Sequence, residues 1–280
     1  MEVTLEFVKE LAYKAGKEIV NRRKNALVFS QKTSVSDLVT SCDVAVEKFI
    51  MQEVRKSFPD SKFFGEECEH VELTDELTWV VDPIDGTTNF IADICLYSVS
   101  IAVLVKKEIL YGVVYVPTIN EMFYAEKGKG AFCNGKRIRC NESKCLTQCL
   151  SCTGFCAGHI KPNPRDDEKR AALRSALSDV VWANSKALAY HTRGLRRFGC
   201  CSVELCYVAC GKLDIFCELG PHEWDVAAGI LVLEEAGGFV TDIAGGQREL
   251  DSRSFLGCCS AEISRAIGSK LSDFPEIKHF

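Results

Sequence analysis

Residues 79–90 read Trp79-Val80-Val81-Asp82-Pro83-Ile84-Asp85-Gly86-Thr87-Thr88-Asn89-Phe90. The apolar run Trp79 to Val81 has the composition of a strand buried on both faces. Asp82 closes it. Pro83 has no N–H and disfavours a helix before it, so the strand is expected to end at Asp82. Gly86 permits a tight turn into Thr87-Thr88-Asn89. A short helix starting at Gly86 would point free backbone N–H groups outward, and such groups bind phosphate oxygens. Two carboxylates on one side and bare amides on the other can hold a divalent cation and a phosphate together. Hard oxygen ligands favour Mg²⁺ over zinc.

Upstream lie two helices and an extended stretch. Leu5, Val8, Leu11, Ala12, Ala15 and Ile19 mark one face of a helix over about Val3–Val20. Leu27 to Cys42 is rich in Ser, Thr and Val and reads as extended. A second helix is expected from Asp43, with Val46, Phe49, Ile50 and Val54 as its stripe. Lys62-Phe63-Phe64-Gly65 is a short strand, followed by Glu66 and Glu67. Downstream, Tyr97–Val105, Leu110–Val116 and Glu121–Ala125 form an antiparallel meander joined by short turns. The second half alternates. Strands are expected at 146–152, 195–198, 213–218, 239–241 and 255–259, and helices at 167–180, 200–210, 224–236 and from Ser260.

This pattern is α+β: a layered α-β-α-β-α sandwich with a mainly antiparallel first sheet and a mixed second one. With 280 residues, one unit over 1–280 is expected, its metal and phosphate half at about 1–145 and its substrate-side half at about 146–280. The charges are 34 Lys plus Arg against 39 Asp plus Glu, a net of -5, which speaks against a nucleic-acid or polybasic membrane binder. No apolar stretch approaches the ~18 residues of a membrane span. The acidic start Met1-Glu2-Val3-Thr4-Leu5-Glu6 is unlike a signal peptide. The expected compartment is therefore the cytoplasm, with the 16 cysteines serving as small buried hydrophobes. Cys145-x3-Cys149-x2-Cys152-x3-Cys156 lacks paired zinc knuckles, and an odd offset in a strand sends Cys149 and Cys152 to opposite faces.

Each acidic group alone has an ordinary explanation. Asp82 or Asp85 fits a cap or a turn, Asp225 a helix first turn, and Glu66-Glu67 a solvated surface. Together, four carboxylates at element ends would repel strongly unless a cation neutralised them.

At these residues the chain resembles the inositol monophosphatase family. Residues 79–90 look like its first signature. Trp224-Asp225-Val226-Ala227-Ala228-Gly229, with Glu234, Ala236, Gly237 and Gly238 nearby, looks like the second. Gly65-Glu66-Glu67, Asp37-Leu38-Val39-Thr40-Ser41-Cys42-Asp43 and the hairpin Lys127–Gly135 match in order and spacing. The resemblance covers nearly the whole chain. It implies a Mg²⁺-dependent phosphomonoesterase, usually a homodimer, with lithium sensitivity a family trait. Glu66, Asp82 and the carbonyl of Ile84 would bind one Mg²⁺, and Asp82, Asp85 and Asp225 a second. Glu66 would hold a third, weaker ion through water. Thr87 and Glu66 would activate the attacking water, with Asp43 holding Thr87. The N–H groups of Gly86 and Thr87 would cradle phosphate, with Asp85 alongside. Lys32 aligns with a basic loop residue, and Cys201 lines the substrate wall.

Glu218 resembles the position that bonds the hydroxyls of a small phosphorylated polyol, which points to myo-inositol 1-phosphate. Departures fall on the substrate side: Thr153–Arg165 is long, with Phe155 or Cys156 at a substrate-contact position. Gly199-Cys200-Cys201-Ser202 and Ile91–Leu96 also differ. A sugar phosphate, histidinol phosphate or 3′-phosphoadenosine 5′-phosphate is the competing substrate class. A metal-binding relative without turnover is the competing non-enzyme.

Overall fold

The computed structural model describes residues 2–23, 29–31, 38–68, 73–143, 145–155, 160–161, 163–246 and 249–279. Its first layer is two helices. Helix α1 (Leu5–Arg23) buries Val8, Leu11, Ala12, Ala15 and Ile19. It runs three residues past Val20, where an Arg22–Glu18 pair at 2.7 Å supports its last turn. Strands β1 (Phe29–Gln31) and β2 (Leu38–Thr40) form a small antiparallel ribbon. Helix α2 (Ser41–Ser57) starts before Asp43 because Thr40 caps it, accepting from the N–H groups of Cys42 and Asp43.

These helices cover a seven-stranded sheet in the order β3 to β9. Its strands are β3 (Lys62–Gly65), β4 (Thr78–Asp85), β5 (Ser98–Val105), β6 (Glu108–Val116), β7 (Glu121–Glu126), β8 (Gly130–Cys133) and β9 (Lys136–Arg137). Only the β3–β4 pairing is parallel. Trp79 and Val81 point to α1 and α2, and Val80 points to the opposite core. Trp79 is wholly buried, with Phe7 and Phe58 ring centroids 5.8 and 5.6 Å away.

The expected end of this strand at Asp82 is wrong. Strand β4 continues to Asp85 through a bulge: Asp82 pairs with Ser100, and Asp85 with Ser98. Pro83 sits in that bulge, where its missing N–H breaks no ladder bond. In an unbroken strand the odd offset would put Asp82 and Asp85 on opposite faces. The extra residue returns them to one face.

After α3 (Thr87–Ile91), the second sheet has the order β11-β10-β12-β14-β13. Its strands are β10 (Leu150–Phe155), β11 (Gly194–Arg196), β12 (Ile215–Leu219), β13 (Phe239–Thr241) and β14 (Ser254–Cys258). Strand β10 is parallel to β11 and β12, and β14 is antiparallel to β12 and β13, so this sheet is mixed. The outermost layer holds α4 (Glu168–His191) and α7 (Ala261–Gly268). Helices α5 (Cys201–Ala209) and α6 (Glu223–Glu235) fill the space between the sheets. The α-β-α-β-α layering is thus present.

Two further readings need correction. Residues 146–148 form a 3-10 turn, so β10 begins only at Leu150. Cys149 and Cys152 still face different cores. Helix α4 does not stop at 180, because Leu177, Val181 and Leu188 continue its buried stripe. Exposed Trp182 and Tyr190 blur that stripe in the sequence. Among the described residues, no helix is long and apolar enough to cross a membrane.

Candidate active site

The site lies where β3 and β4 end against the N-termini of α3, α5 and α6. The bulge brings Asp82 and Asp85 together. Asp225, in the first turn of α6, joins them, and one ligand oxygen from each lies within 4.8 Å of the others. Asp225 is oriented by the His222 N–H, which donates to its Oδ2 at 2.6 Å. The Ile84 N–H donates to Asp82 Oδ1 at 3.0 Å. Glu66 is outside this tight triad. It follows β3, its N–H donating to the Val81 carbonyl at 3.2 Å, and its charge acts on both Asp82 and Asp225.

Burial, followed by the charge of Glu66, Asp85 and Asp225, pushes Asp82 well above the usual carboxylate range. Burial and the charges of Asp85 and Glu66 do the same to Asp225. Asp85 is raised by burial, against hydrogen bonds that lower it. Its Oδ2 accepts from the Ser202 N–H at 2.7 Å and the Ser202 hydroxyl at 2.6 Å, and its Oδ1 from the Cys201 N–H at 3.1 Å. The Cys200 thiol donates to it as well, at 3.2 Å. Three carboxylates forced together with raised pKa values form a donor set that fits a hard divalent cation, which would let them ionise.

A second cluster adjoins the first. The Thr87 hydroxyl lies 3.1 Å from Asp43 Oδ1 and 3.0 Å from the Ile84 carbonyl, with both able to accept from it. Thr40 holds the other oxygen of Asp43 through its N–H at 3.0 Å and through its hydroxyl. Burial raises the pKa of Asp43 despite these bonds. One turn further along α2, buried Glu47 accepts from the Glu67 N–H at 2.8 Å. Gly86 caps α3 at φ +89, a left-handed conformation that only glycine adopts without strain. The Asn89 amide donates to the carbonyls of Leu96 and Phe198, both at 2.7 Å, tying the turn to the loop before α5.

Glu218 on β12 pairs in register with Gly154 on β10. Its carboxylate packs on that glycine so closely that a Cβ there would lie 2.0 Å from Oε2. Burial and the neighbouring Glu204 charge raise its pKa well above the ordinary value. Cys201 is buried, and burial keeps its thiol and that of Cys200 protonated. Lys32 and Cys156 lie outside the described residues.

Sequence reasoning overlooked Ser202, Glu47, Asn89, Glu204 and Thr40. Only Thr40 had a local signal, the capping pattern Thr40-x-x-Asp43. Ser202, Glu47 and Asn89 act across 20 to 117 residues of chain, and Glu204 holds the N–H groups of Phe198 and Gly199 only in the folded loop; no local pattern reports either.

A layered sandwich with clustered carboxylates at its strand ends, beside a glycine-started turn, is the architecture of a metal-dependent phosphatase. The inositol monophosphatase family model matches residues 1–273. Inositol monophosphatase 3 of Solanum lycopersicum is 39% identical over 260 residues, covering 90% of this chain and 91% of that protein. Inositol monophosphatase 1 of Rattus norvegicus is 34% identical over 275 residues, covering 97% and 95%. The crystal structure of the extragenic suppressor protein suhB from Bartonella henselae superposes with a TM-score of 0.81 at 33% identity, covering 94% of this chain and 96% of that one. The chain belongs to the inositol monophosphatase family.

Proposed function

We propose that the protein is a Mg²⁺-dependent phosphatase that hydrolyses myo-inositol 1-phosphate to inositol and phosphate. The observation that carries this reading is the Asp82–Asp85–Asp225 triad set beside the Asp43–Thr87 pair. Glu66, Asp82 and the Ile84 carbonyl would hold one Mg²⁺, and Asp82, Asp85 and Asp225 a second. Glu66 would serve a third, weaker ion through water. When bound, the ions lower the pKa of water and neutralise charge on the leaving oxygen.

The chain's own residues supply the rest. A hydroxyl has one proton, so when Thr87 donates to Asp43 its lone pairs are free to orient the attacking water. Asp43, raised by burial, is a better proton acceptor than an ordinary carboxylate. Glu66 takes the water's proton as general base. The N–H groups of Gly86 and Thr87, beside Asp85, cradle the phosphate. Glu218 accepts from the polyol hydroxyls, with Cys201 lining the same wall and Lys32 adding positive charge from its loop. Protonated thiols at Cys200 and Cys201 speak for direct attack by water rather than a thiophosphate intermediate. The fifteen described cysteines are free, in keeping with a reducing cytoplasm. The same reading makes the protein a lithium-sensitive homodimer.

The test is phosphate release from myo-inositol 1-phosphate with and without Mg²⁺, beside histidinol phosphate and 3′-phosphoadenosine 5′-phosphate. Mg²⁺-dependent preference for the inositol ester is expected. Preference for another ester would overturn the substrate, and no turnover by folded protein on any ester would overturn the enzyme.

A further inference from the structure

Arg197 stands at the rim of the substrate side and takes no part in the chemistry above. It is exposed, yet its guanidinium is held in place. It sits 4.2 Å above the Phe155 ring, and Nη2 donates to the Phe155 carbonyl at 3.4 Å. Phe155 in turn packs on Trp182 at 5.4 Å between ring centroids. Among the described residues Arg197 has no ion-pair partner.

Its position relative to the phosphate turn follows from close approaches. Nη1 lies 3.8 Å from where a Cβ on Gly199 would stand, next to the Asn89 amide. The Gly199 carbonyl is 3.3 Å from the corresponding point on Gly86. The guanidinium is thus one residue's thickness from the turn assigned to the scissile phosphate. Its charge also reaches Glu218 and Glu204, favouring their ionised forms. Arg197 thus stands near both the turn assigned to the phosphate and the carboxylate assigned to the hydroxyls.

We infer that Arg197, braced on Phe155, is an anion subsite that accepts a second anionic group on the alcohol part of the ester, a carboxylate or a second phosphate. This rests on the phosphatase reading above. A planar guanidinium matches the paired oxygens of either group. Glu218 alone would repel such a substrate. With the Arg197 charge in reach, neutral hydroxyls go to the carboxylate and anionic oxygens to the guanidinium, so the range of esters extends beyond neutral polyols.

The test uses matched pairs: glycerol 2-phosphate against 2-phosphoglycerate, which replaces one CH₂OH by a carboxylate, and fructose 1-phosphate against fructose 1,6-bisphosphate. The readout is the ratio of kcat/KM, charged over neutral, for wild type, Arg197→Ala and Arg197→Lys. In Arg197→Ala the ratio is expected to fall about tenfold or more, through KM, in at least one pair. The responding pair identifies carboxylate or phosphate as the group bound. Arg197→Lys should recover part of the ratio, and added salt should erode the wild-type preference. An unchanged ratio in both pairs, with the variant's melting temperature intact, overturns the subsite. Equal losses on charged and neutral esters would show a structural role and overturn it too. Turnover of myo-inositol 1-phosphate with none of the charged esters accepted overturns the subsite and leaves the phosphatase reading standing; no release from myo-inositol 1-phosphate or from any of the four esters overturns the phosphatase reading itself.

Discussion

Removing divalent cations is expected to destabilise the protein more at pH 8 than at pH 5, and Asp82→Asn is expected to reverse that penalty. At 4.8 Å and an effective dielectric of about 20, each charged pair in the Asp82–Asp85–Asp225 triad repels by roughly 3.5 kcal/mol, and the three pairs by roughly 10 kcal/mol. The metal-free protein relieves this by binding protons, which is why burial and like charge raise Asp82 and Asp225. The folded state therefore holds more protons than the unfolded one above the ordinary value of 3.8. Stability then falls as pH rises from there towards the raised values. A cation at 100 times its dissociation constant returns about 2.7 kcal/mol. An unfolding entropy of roughly 2.1 cal/mol/K per residue makes this a melting-temperature rise of about 4–5 °C for a 280-residue chain. Calorimetry in EDTA, then with Mg²⁺, at both pH values measures it. Asp82→Asn keeps the oxygen that accepts from Ile84 but removes one charge and one ligand. Its metal-free form should melt above wild type at pH 8, and its Mg²⁺ response should shrink to about 1 °C or less. A variant that is no more stable without metal, or that keeps the full Mg²⁺ response, refutes the reasoning.

Replacing Asp43 by Asn should lower kcat on the preferred ester by about 100-fold or more and leave KM within about threefold, because Asp43 acts on Thr87 rather than on substrate; steady-state kinetics separate the two. Gly154→Ala should raise KM for myo-inositol 1-phosphate about tenfold without changing the Mg²⁺-induced melting shift, since the new Cβ would displace the Glu218 carboxylate. Glu204 is buried, with one oxygen unpartnered and its pKa pushed up to about 8 chiefly by burial. Its folded value lies above the ordinary 4.5, so its contribution to stability declines between about pH 4.5 and 8. Melting curves of Glu204→Gln from pH 5 to 9 should slope less than wild type, and parallel slopes would count against this account.

Layering and most elements are legible in the sequence because runs such as Trp79–Val81 of β4 and Ile101–Val105 of β5 repeat one local fact: apolar side chains on both faces of a strand. Boundaries fail where a tertiary contact overrules a local preference. Pro83 reads as a stop, yet the ladder to β5 resumes beyond it through the bulge. Helix α4 outruns its apparent end because Val181 and Leu188 find the outer core. Within the site, the carboxylates stand out by their places at element ends. Their partners do not. Ser202 looks like any helix-start serine, and Glu47 like any charge on an amphipathic helix, until α5 and α2 are brought to Asp85 and Glu67. Glu204 and Arg197 carry no sequence signal because burial and ring stacking exist only in the fold.

The contacts on Asp85 explain why departures on the substrate side can leave the metal side whole. Asp85 ends a strand of the first sheet, but four donors at the start of α5 hold it: the Cys200 thiol, the Cys201 N–H, and the N–H and hydroxyl of Ser202. Two of these are backbone groups, available from nearly any residue. Ser98 supports the same corner from β5, its hydroxyl 2.8 Å from that of Ser202. The segment Gly199–Ser202 can therefore change its side chains, including two cysteines, and still orient the carboxylate. Glu204 holds the same loop from behind, accepting from the N–H groups of Phe198 and Gly199 at 2.6 and 3.4 Å. Cys201→Ala should therefore alter substrate preference while leaving the Mg²⁺-induced melting shift unchanged, because the backbone N–H at position 201 still donates to Asp85; a variant that lost the Mg²⁺ response would show that the side chain, and not the backbone, orients the carboxylate.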